Sequence, residues 1–325
     1  MAERDLYVKN LLKDPVRFAD LYNGTVFAGK QILKPEKLSD VPHEQGIVIL
    51  DESGKKRIVV RRRDIIKKAA FGAYFVLTAA ENQDSVHYAM PVRAMTYDAL
   101  DYTEQIEHIR QQHQKQGDSL KGGEFLSGIT REDKLVPVVS LILYHGSDPW
   151  DGPVALYDML NLDQSLEETA ALKQVLPDYR INLIDASRIP HPEYFCTSLQ
   201  HIFAMLKYNS DKGKLYDYAR THRADFQGMD DDSMLALLSL LGEQKRLMKI
   251  WEQSRTKETE ANNMCTAIDE LIMDGKKEGE TMLASLMTRL FQDGRIEEAR
   301  LAASDGEARK KFYQEYGIEG MFDKN

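Results

Sequence analysis

An apolar, strand-like segment in the first third of the chain ends in an acid and an amide. It reads AYFVLTAAENQ, from Ala73 to Gln83, and it places Glu81 and Gln83 two positions apart at its polar end. Side chains two apart on a strand project from the same face, so these two would point together while Asn82 points away. A carboxylate beside an amide can hold a metal ion and orient a water molecule, which makes this strand end a candidate site.

A second acid, Asp64, precedes Glu81 by seventeen positions, toward the polar end of the segment RIVVRRRDII (57–66). The two acids would converge if the two segments paired as antiparallel strands around KKAAFG. Two carboxylates form a hard oxygen site suited to Mg²⁺, which completes its coordination with water and substrate phosphate. Such an ion can activate water for attack on phosphorus. The alternative is that these residues mark only the place where a sheet meets solvent.

A basic run surrounds Asp64. Eight Lys and Arg residues fall within positions 55–68, with Asp64 as the one acid among them, although the whole chain has a formal net charge of -9. The run favours contact with a polyanion at this place, and the net charge argues against a broad basic surface. The alternative role of the run is to protect a solvated hairpin edge. The residues expected to contact phosphates of double-stranded DNA here are Arg61, Arg62, Arg63 and Lys67.

A helix that begins at MPVRAMTYDAL is predicted to follow the acidic strand end. Arg93 and Tyr97 lie four apart on one face of it. Arg93 would bind phosphate with support from Tyr97, or it would form a salt bridge or cap that holds the helix on the sheet. In the later segment YHGSDPWDGP, we expect His145 to be structural and Trp150 to pack the loop down.

The apolar pattern predicts the elements that would position these residues. One or two amphipathic helices are expected in the first thirty residues, and 46–50, 57–66 and 73–83 are expected to form three strands of a meander. A helix over 91–114 would bury a single apolar stripe, whose members are Val92, Met95, Ala99, Tyr102 and Ile106.

Later segments complete the organisation. A strand over 135–144 is apolar enough to be covered on both faces, and a short helix over 154–160 and a strand over 179–185 follow it. These elements predict an α/β domain at residues 1–190. Strand signals vanish from Pro192 onward, so residues 191–325 are predicted to be helical, with Asp231 or Asp232 capping one helix.

Composition sets limits on the class of protein. The chain is 42% hydrophobic and 29% charged, which is typical of a soluble globular protein. Its two cysteines, Cys196 and Cys265, are far apart, which argues against a thiolate zinc site or a disulfide framework. We find neither a signal-peptide pattern nor an apolar run long enough to span a membrane, so we expect a cytoplasmic protein without membrane contact.

Four motifs in order carry a resemblance to a known family: RRRD, AAENQ, YAMPVRAMTYDAL and VPVVSLILYHGSDPW. They resemble the recombination-promoting nuclease (Rpn) and putative transposase family of the PD-(D/E)xK nuclease superfamily. The resemblance runs from about residue 15 to residue 190, and the C-terminal helices also look like those of the family. It implies an α/β fold with a PD-(D/E)xK restriction-endonuclease-like core, a mixed sheet flanked by helices, followed by an all-helical C-terminal region.

The resemblance also implies site residues and an activity. Asp64 and Glu81 would be the catalytic, metal-binding acids, and Gln83 would occupy the place that lysine holds in the superfamily motif. The implied function is that of a Mg²⁺-dependent DNA endonuclease linked to recombination or mobile elements. The alternative is a catalytically weak or inactive DNA-binding or protein-interaction member of the same fold, because glutamine lacks the positive charge of lysine. The C-terminal helices are candidates for homo-oligomer formation.

Overall fold

A computed structural model of the chain describes residues 3–41, 46–50, 56–60, 65–70, 72–79, 86–146, 148–163, 166–241 and 263–318. Its strands are β1 (Leu38–Asp40), β2 (Gly46–Leu50), β3 (Lys56–Val60), β4 (Ile65–Ala69), β5 (Tyr74–Ala79), β6 (Val138–Tyr144) and β7 (Asn182–Asp185). The helices before β7 are α1 (Glu3–Lys13), α2 (Pro15–Thr25), α3 (Met90–Gln116), α4 (Gly123–Ser127) and α5 (Glu167–Val175). The helices after β7 are α6 (Leu199–Tyr208), α7 (Lys212–Thr221), α8 (Arg223–Gln227), α9 (Asp231–Leu240), α10 (Asn263–Gln292), α11 (Ile296–Ser304) and α12 (Gly306–Glu315).

Five strands form a mixed sheet in the order β1-β4-β5-β6-β7. The pairs β1/β4 and β4/β5 are antiparallel, whereas β5, β6 and β7 run parallel to one another. β6 therefore lies between two partners, and its residues from Ser140 to Tyr144 are buried, as predicted for a strand covered on both faces. The mixed sheet with flanking helices confirms the predicted α/β class, while the PD-(D/E)xK core stays a prediction.

The predicted meander is wrong in one respect. The segment 57–66 is not one strand: β3 ends at Val60 and pairs with β2 in a separate two-stranded sheet, while β4 begins at Ile65 and joins the large sheet. Each half carries its own apolar residues, so alternation alone could not show that the halves join different sheets. The turn from β4 to β5 contains Gly72, whose φ of 88° lies in the left-handed region that glycine tolerates.

Helix α2 packs on one face of the sheet. It begins where the Asp14 carboxylate accepts a hydrogen bond from the backbone N–H of Val16, with Pro15 in the first turn. The hydroxyl of Tyr22 donates to the carbonyl of Val76 at 2.8 Å, and its ring meets Phe75 edge-on at 5.0 Å. The sheet is therefore tied to α2 both by aromatic packing and by a buried hydrogen bond.

Helix α3 packs on the other face, and its buried side coincides only in part with the predicted stripe. Val92 and Ala99 are exposed, whereas Met90, Ala94 and Asp98 are buried. The register differs because an acid belongs to the buried side: the Asp98 carboxylate accepts hydrogen bonds from the hydroxyls of Ser140 (2.6 Å) and Tyr179 (2.5 Å). A buried carboxylate is tolerated where hydrogen bonds replace its hydration, so a pattern of apolar residues alone could not find this face.

Replacing Asp98 with Asn is expected to lower the free energy of unfolding by about 1–2 kcal/mol. The reason is that two hydrogen bonds to a charged carboxylate are exchanged for weaker hydrogen bonds to a neutral amide. Urea denaturation should show a lower midpoint with an unchanged slope. The matched control is Glu107→Gln on the same helix, which removes only the exposed ion pair with Arg110 and should cost less than about 0.5 kcal/mol. Equal losses in the two variants would contradict the buried role of Asp98.

The C-terminal end of α3 is joined to the following loop by a histidine between two acids. Nδ1 of His113 lies 2.7 Å from Asp118 and Nε2 lies 2.8 Å from Asp133. Hydrogen bonds to Asp118 and Asp133 raise the pKa of His113 above its ordinary value. The hydrogen bond from His113, with those from Thr130, lowers the pKa of Asp133 to about 2.

This arrangement predicts a pH dependence of stability. Because the pKa of His113 is higher in the folded state than its unfolded value of 6.5, His113 stabilises the fold fully below pH 6.5. This contribution is lost as the pH rises through the folded-state pKa. The lowered pKa of Asp133 stabilises the fold above pH 3.8, and this contribution is lost as the pH falls toward about 2. The stability difference between the wild type and His113→Gln should therefore be greatest between about pH 4 and 6.5 and shrink above it. A difference that grows from pH 6 to pH 9 in urea unfolding would contradict the assignment.

The chain divides into two compact units, and the division differs from the boundary predicted at residue 190. The sheet unit comprises Met1–Asn209 with Met229–Gln244, and the helical unit comprises Ser210–Gly228 with Lys245–Asn325. The predicted helical region thus contributes α6 and α9 to the sheet unit, where Ile202 and Leu237 are buried. α9 is capped by Asp230, which accepts from the backbone N–H of Ser233, and not by either of the two acids predicted to do so.

The helical unit has its own core. α10, α11 and α12 enclose it, and its buried members are Leu286, Leu290, Ala299, Ala302 and Ile318. Arg295, just before α11, pairs with Glu298 and Glu315 and lies over the ring of Phe312. In the part of the chain that the structure describes, all regular elements after residue 191 are helical, as predicted. None of the described helices combines the length and the apolar character that a membrane span requires.

Candidate functional site

Most of the predicted site residues lie outside the described residues. These are Asp64, Glu81 and Gln83, with Arg61, Arg62 and Arg63. The nearest described neighbours of the two acids are Ile65, the first residue of β4, and Ala79, the last residue of β5. Because β4 and β5 are antiparallel, with Ile65 paired to Leu77, these two strand ends lie at the same end of the sheet. The metal-binding and catalytic roles of the acids stay predictions.

Two further strands end at this place. Ala79 of β5 pairs with Leu143 of β6, and Tyr144 of β6 pairs with Asp185 of β7, so the carboxyl ends of three parallel strands meet at this end. In open α/β sheets, ligands bind at the carboxyl ends of the strands. We therefore take this end of the sheet as the candidate site.

Lys67, a predicted phosphate contact, has a structural partner. Its side chain is 3% exposed, and its ammonium lies 2.6 Å from the Asp40 carboxylate of the neighbouring strand β1. The ammonium also lies 5.6 Å from the centre of the Phe18 ring. Contact of Lys67 with DNA would require this ion pair to open, so the structure offers that expectation no support.

Arg93 and Tyr97 are in contact, as their spacing suggested. The guanidinium of Arg93 lies 5.6 Å from the centre of the Tyr97 ring, in the geometry of a cation–π interaction. Arg93 is half-buried in the first turn of α3, where the helix carries a partial positive charge. The helix dipole and the Arg93 guanidinium thus both place positive charge at this position.

A tyrosine that the sequence did not point out fixes the segment just before α3. The Tyr88 hydroxyl lies 3.1 Å from both carboxylate oxygens of Asp151, in the loop after β6. The hydrogen bond with Asp151 and the charge of its carboxylate raise the pKa of Tyr88. Val86 approaches the same loop so closely that a Cβ on Gly152 would lie 2.5 Å from it. The described residues that follow Gln83 are thereby held against this loop.

The loop after β6 is packed by Trp150, as predicted. The indole meets the Tyr144 ring edge-on at 5.2 Å and donates a hydrogen bond to the carbonyl of Gly152 at 2.8 Å. The Tyr144 hydroxyl donates to the carbonyl of Asp148 at 2.9 Å. His145 is 5% exposed within this packed region, which fits the structural role expected for it better than that of a solvent-accessible base.

Two charged residues at the end of β7 were also missed. Asp185 accepts a hydrogen bond from the backbone N–H of Ser187 at 3.1 Å, and its carboxylate pairs with Arg188 at 3.0 Å. Burial raises the pKa of Tyr144, and the charges of Asp185 and Asp148 raise it further. The signal for Asp185 was present in the sequence, since it ends an apolar strand segment, as Glu81 does.

Comparison with known proteins gives a family for the middle of the chain. A family model described as "Putative transposase, YhgA-like" matches residues 73–233. No curated protein and no solved structure matches the chain. The matched residues begin just before β5 and reach into α9, so they include Glu81, Gln83 and Arg93, while Asp64 precedes them. Residues 73–233 are therefore similar to the family of YhgA-like putative transposases, which confirms the resemblance that the motifs of the chain predicted.

Proposed function

We propose that this protein is a Mg²⁺-dependent endonuclease that hydrolyses phosphodiester bonds of double-stranded DNA, in a process linked to recombination or mobile elements. The observation that carries the proposal is the pairing of β4 with β5 in a chain whose middle part matches a family of putative transposases. The chain enters β4 directly after Asp64, and it leaves β5 two residues before Glu81. The match to this family supports DNA as the substrate class.

Asp64 and Glu81 are the residues that would hold the metal ion. Two carboxylates are hard oxygen donors, and their chemistry fits Mg²⁺ better than a soft or thiophilic metal. When bound, Mg²⁺ supplies charge neutralisation at the scissile phosphate and lowers the pKa of water. Gln83 would hold the attacking water in line by accepting a hydrogen bond from it or donating one to it.

The DNA backbone would be held by positive groups on two elements. Arg61, Arg62 and Arg63 precede Asp64. Arg93 sits in the first turn of α3, whose residues Met90 and Ala94 pack with Ile142 and Tyr144 near the end of β6. Phosphate contacts release counterions, so the affinity for DNA should fall steeply with salt. Because the chain carries a formal net charge of -9, the DNA contact should stay confined to this end of the sheet.

Cleavage of supercoiled plasmid tests the proposal directly. Purified protein should convert supercoiled plasmid to the nicked or linear form with Mg²⁺ and leave it intact with EDTA. Binding to a short duplex, followed by fluorescence anisotropy in EDTA, gives a readout that needs no cleavage. Absence of cleavage at every concentration of Mg²⁺ or Mn²⁺ would overturn the enzymatic proposal.

A second function is favoured by Gln83. This residue stands where lysine supplies a positive charge in the wider superfamily, and a neutral amide stabilises developing negative charge less well. The chain would then be a catalytically weak or inactive member that binds DNA or protein. Salt-sensitive binding of duplex DNA without metal-dependent cleavage is the result expected from this second function.

Self-association through the C-terminal helices is part of both proposals. Several apolar side chains on these helices are exposed: Met273, Phe291, Ile296 and Leu301. Light scattering after size exclusion would give the mass of the full chain. A mass of 37.2 kDa at all concentrations would contradict self-association.

A further inference from the structure

A cleft of about 580 Å³ opens at the end of the sheet where β6 and β7 finish. Three segments form its walls: the end of α2 with the turn after it, the loop after β6, and the segment after β7. Its lining includes Ala28, Trp150, Asp185, Arg188 and Tyr194. The volume falls within the range of small-molecule sites, and a single nucleotide is of suitable size.

The walls are held in place by buried contacts. A Cβ on Gly24 would lie 2.5 Å from the Phe195 ring, so α2 and the segment after β7 approach at a distance that only glycine permits. The buried carboxylate of Asp20 accepts hydrogen bonds from the backbone N–H groups of Cys196 and Thr197, both at 2.9 Å. The cleft is therefore preformed, which lowers the entropic cost of binding a ligand.

One wall contains unusual backbone. Ala28 has a φ of 49°, and among the described residues other than glycine it is the only one with a positive φ. Gly29 follows with a φ of 84°, and a Cβ there would lie 3.2 Å from the ring of Tyr194. Functional sites are enriched in backbone conformations that residues other than glycine rarely adopt. Here the left-handed turn brings the backbone against an aromatic residue of the cleft.

The cleft offers flat apolar surfaces beside polar groups. The rings of Trp150 and Tyr194 line it, and His191 stacks on Tyr194 at 4.6 Å with 17° between the rings. Asp185 and Arg188 supply a carboxylate and a guanidinium, which pair with each other. A nucleobase has matching chemistry, because its faces stack on aromatic rings and its edge donates and accepts hydrogen bonds.

Charge beside the cleft favours an uncharged base over a free anion. Asp148, Asp151 and Asp185 all contribute charge that raises the pKa of Tyr144, whereas Arg188 acts in the opposite direction. A small anion would meet mainly repulsion from these carboxylates. A neutral ring would not, and its edge could donate a hydrogen bond to Asp185 and accept one from Arg188.

We propose that this cleft binds one unstacked nucleobase of DNA. Such a base is present in a single strand, at a frayed duplex end or in a flipped nucleotide. The proposal takes its substrate class, DNA, from the proposed function and does not require cleavage. It predicts that DNA with unpaired bases is bound more tightly than a perfect duplex, because unstacking a paired base costs free energy.

Tryptophan fluorescence can test the cleft in EDTA, where no cleavage occurs. The chain has two tryptophans, so Trp251→Phe leaves Trp150 as the single reporter. A single-stranded dodecamer should quench this fluorescence saturably, and the matching duplex should do so several-fold more weakly. In the Trp251→Phe background, Tyr194→Ala and Arg188→Ala should each weaken binding of the dodecamer. Removal of the Tyr194 ring should lower the affinity about 5-fold or more.

The matched control is Phe125→Ala, which removes an aromatic side chain that is 78% exposed on α4 and does not line the cleft. It should bind the dodecamer as the parent does. The exposed Arg188 serves as a second test because its removal leaves the packing intact, should Tyr194→Ala fail to fold by circular dichroism.

The outcomes separate the two proposals. Quenching that depends on Tyr194 or Arg188, without plasmid nicking, would support the cleft and contradict the nuclease. Nicking without any quenching would support the nuclease and overturn the cleft. Equal affinities in the parent, the folded cleft variants and Phe125→Ala would also overturn it.

Discussion

Replacing Asp64 with Asn, or Glu81 with Gln, is expected to reduce Mg²⁺-dependent nicking of plasmid by about 100-fold or more. Each change keeps the size of the side chain and removes one negative charge from the proposed metal site. Metal ions contribute several kcal/mol of transition-state stabilisation, and each 1.36 kcal/mol corresponds to a tenfold change in rate. Initial rates of nicking at several Mg²⁺ concentrations would measure the loss and show whether high Mg²⁺ restores activity.

The matched control for these variants is Glu132→Gln, an exposed acid in the loop before β6. It should nick plasmid at the wild-type rate. DNA binding in EDTA should persist in both site variants, because removal of an acid does not weaken contacts with phosphate. Nicking that is equal in the wild type and in Asp64→Asn would remove Asp64 from the site, and the same result for Glu81→Gln would remove Glu81.

Replacing Asp20 with Ala is expected to lower the free energy of unfolding of the sheet unit by about 3–5 kcal/mol. The Asp20 side chain is 4% exposed and accepts from two backbone N–H groups at 2.9 Å and from the Thr197 hydroxyl at 2.6 Å. Its removal takes the shared acceptor from three part-buried hydrogen bonds, at a cost of about 1 kcal/mol or more each. Urea unfolding followed by tryptophan fluorescence would measure the change.

The control for Asp20 lies on the same helix. Asp14→Ala removes the N-cap of α2, which accepts one hydrogen bond from Val16 in an exposed position. Its cost should be about 1 kcal/mol. A loss at Asp20 no larger than that at Asp14 would show that the segment after β7 is not held by this carboxylate, and it would also weaken the case for a preformed cleft.

The boundary between the two units bears on how the chain is truncated. α9 belongs to the sheet unit, packs against α1 and buries Met234 and Leu237. A chain ended near Asn209 would therefore lose part of the core of the sheet unit together with the helical unit. Tests of self-association are better made on the full chain.

Much of the fold followed from local patterns. The amphipathic helices at the start, the helix that begins near Pro91, and the buried strand that becomes β6 were all predicted from periodicity and turn residues. The family was predicted from four short motifs, which need no knowledge of which elements pair. The polar end of the third strand-like segment pointed to Glu81 and Gln83 for the same reason.

Other features depended on contacts between distant parts of the chain. Apolar alternation shows that a segment is a strand, but it does not show which sheet the strand joins, so the split between Val60 and Ile65 was missed. Asp98 and Lys67 are charged residues that become buried because Ser140, Tyr179 and Asp40 supply their partners. Such partners are known only when the chain has folded.

Residue types at short spacing were enough to predict the family, the α/β class and the acids proposed to bind metal. The contacts of the folded chain were needed to show which charges are buried, that α9 belongs to the sheet unit, and that Trp150 and Tyr194 line one cleft with Arg188. The physical reason is that burial and pairing are set by long-range packing.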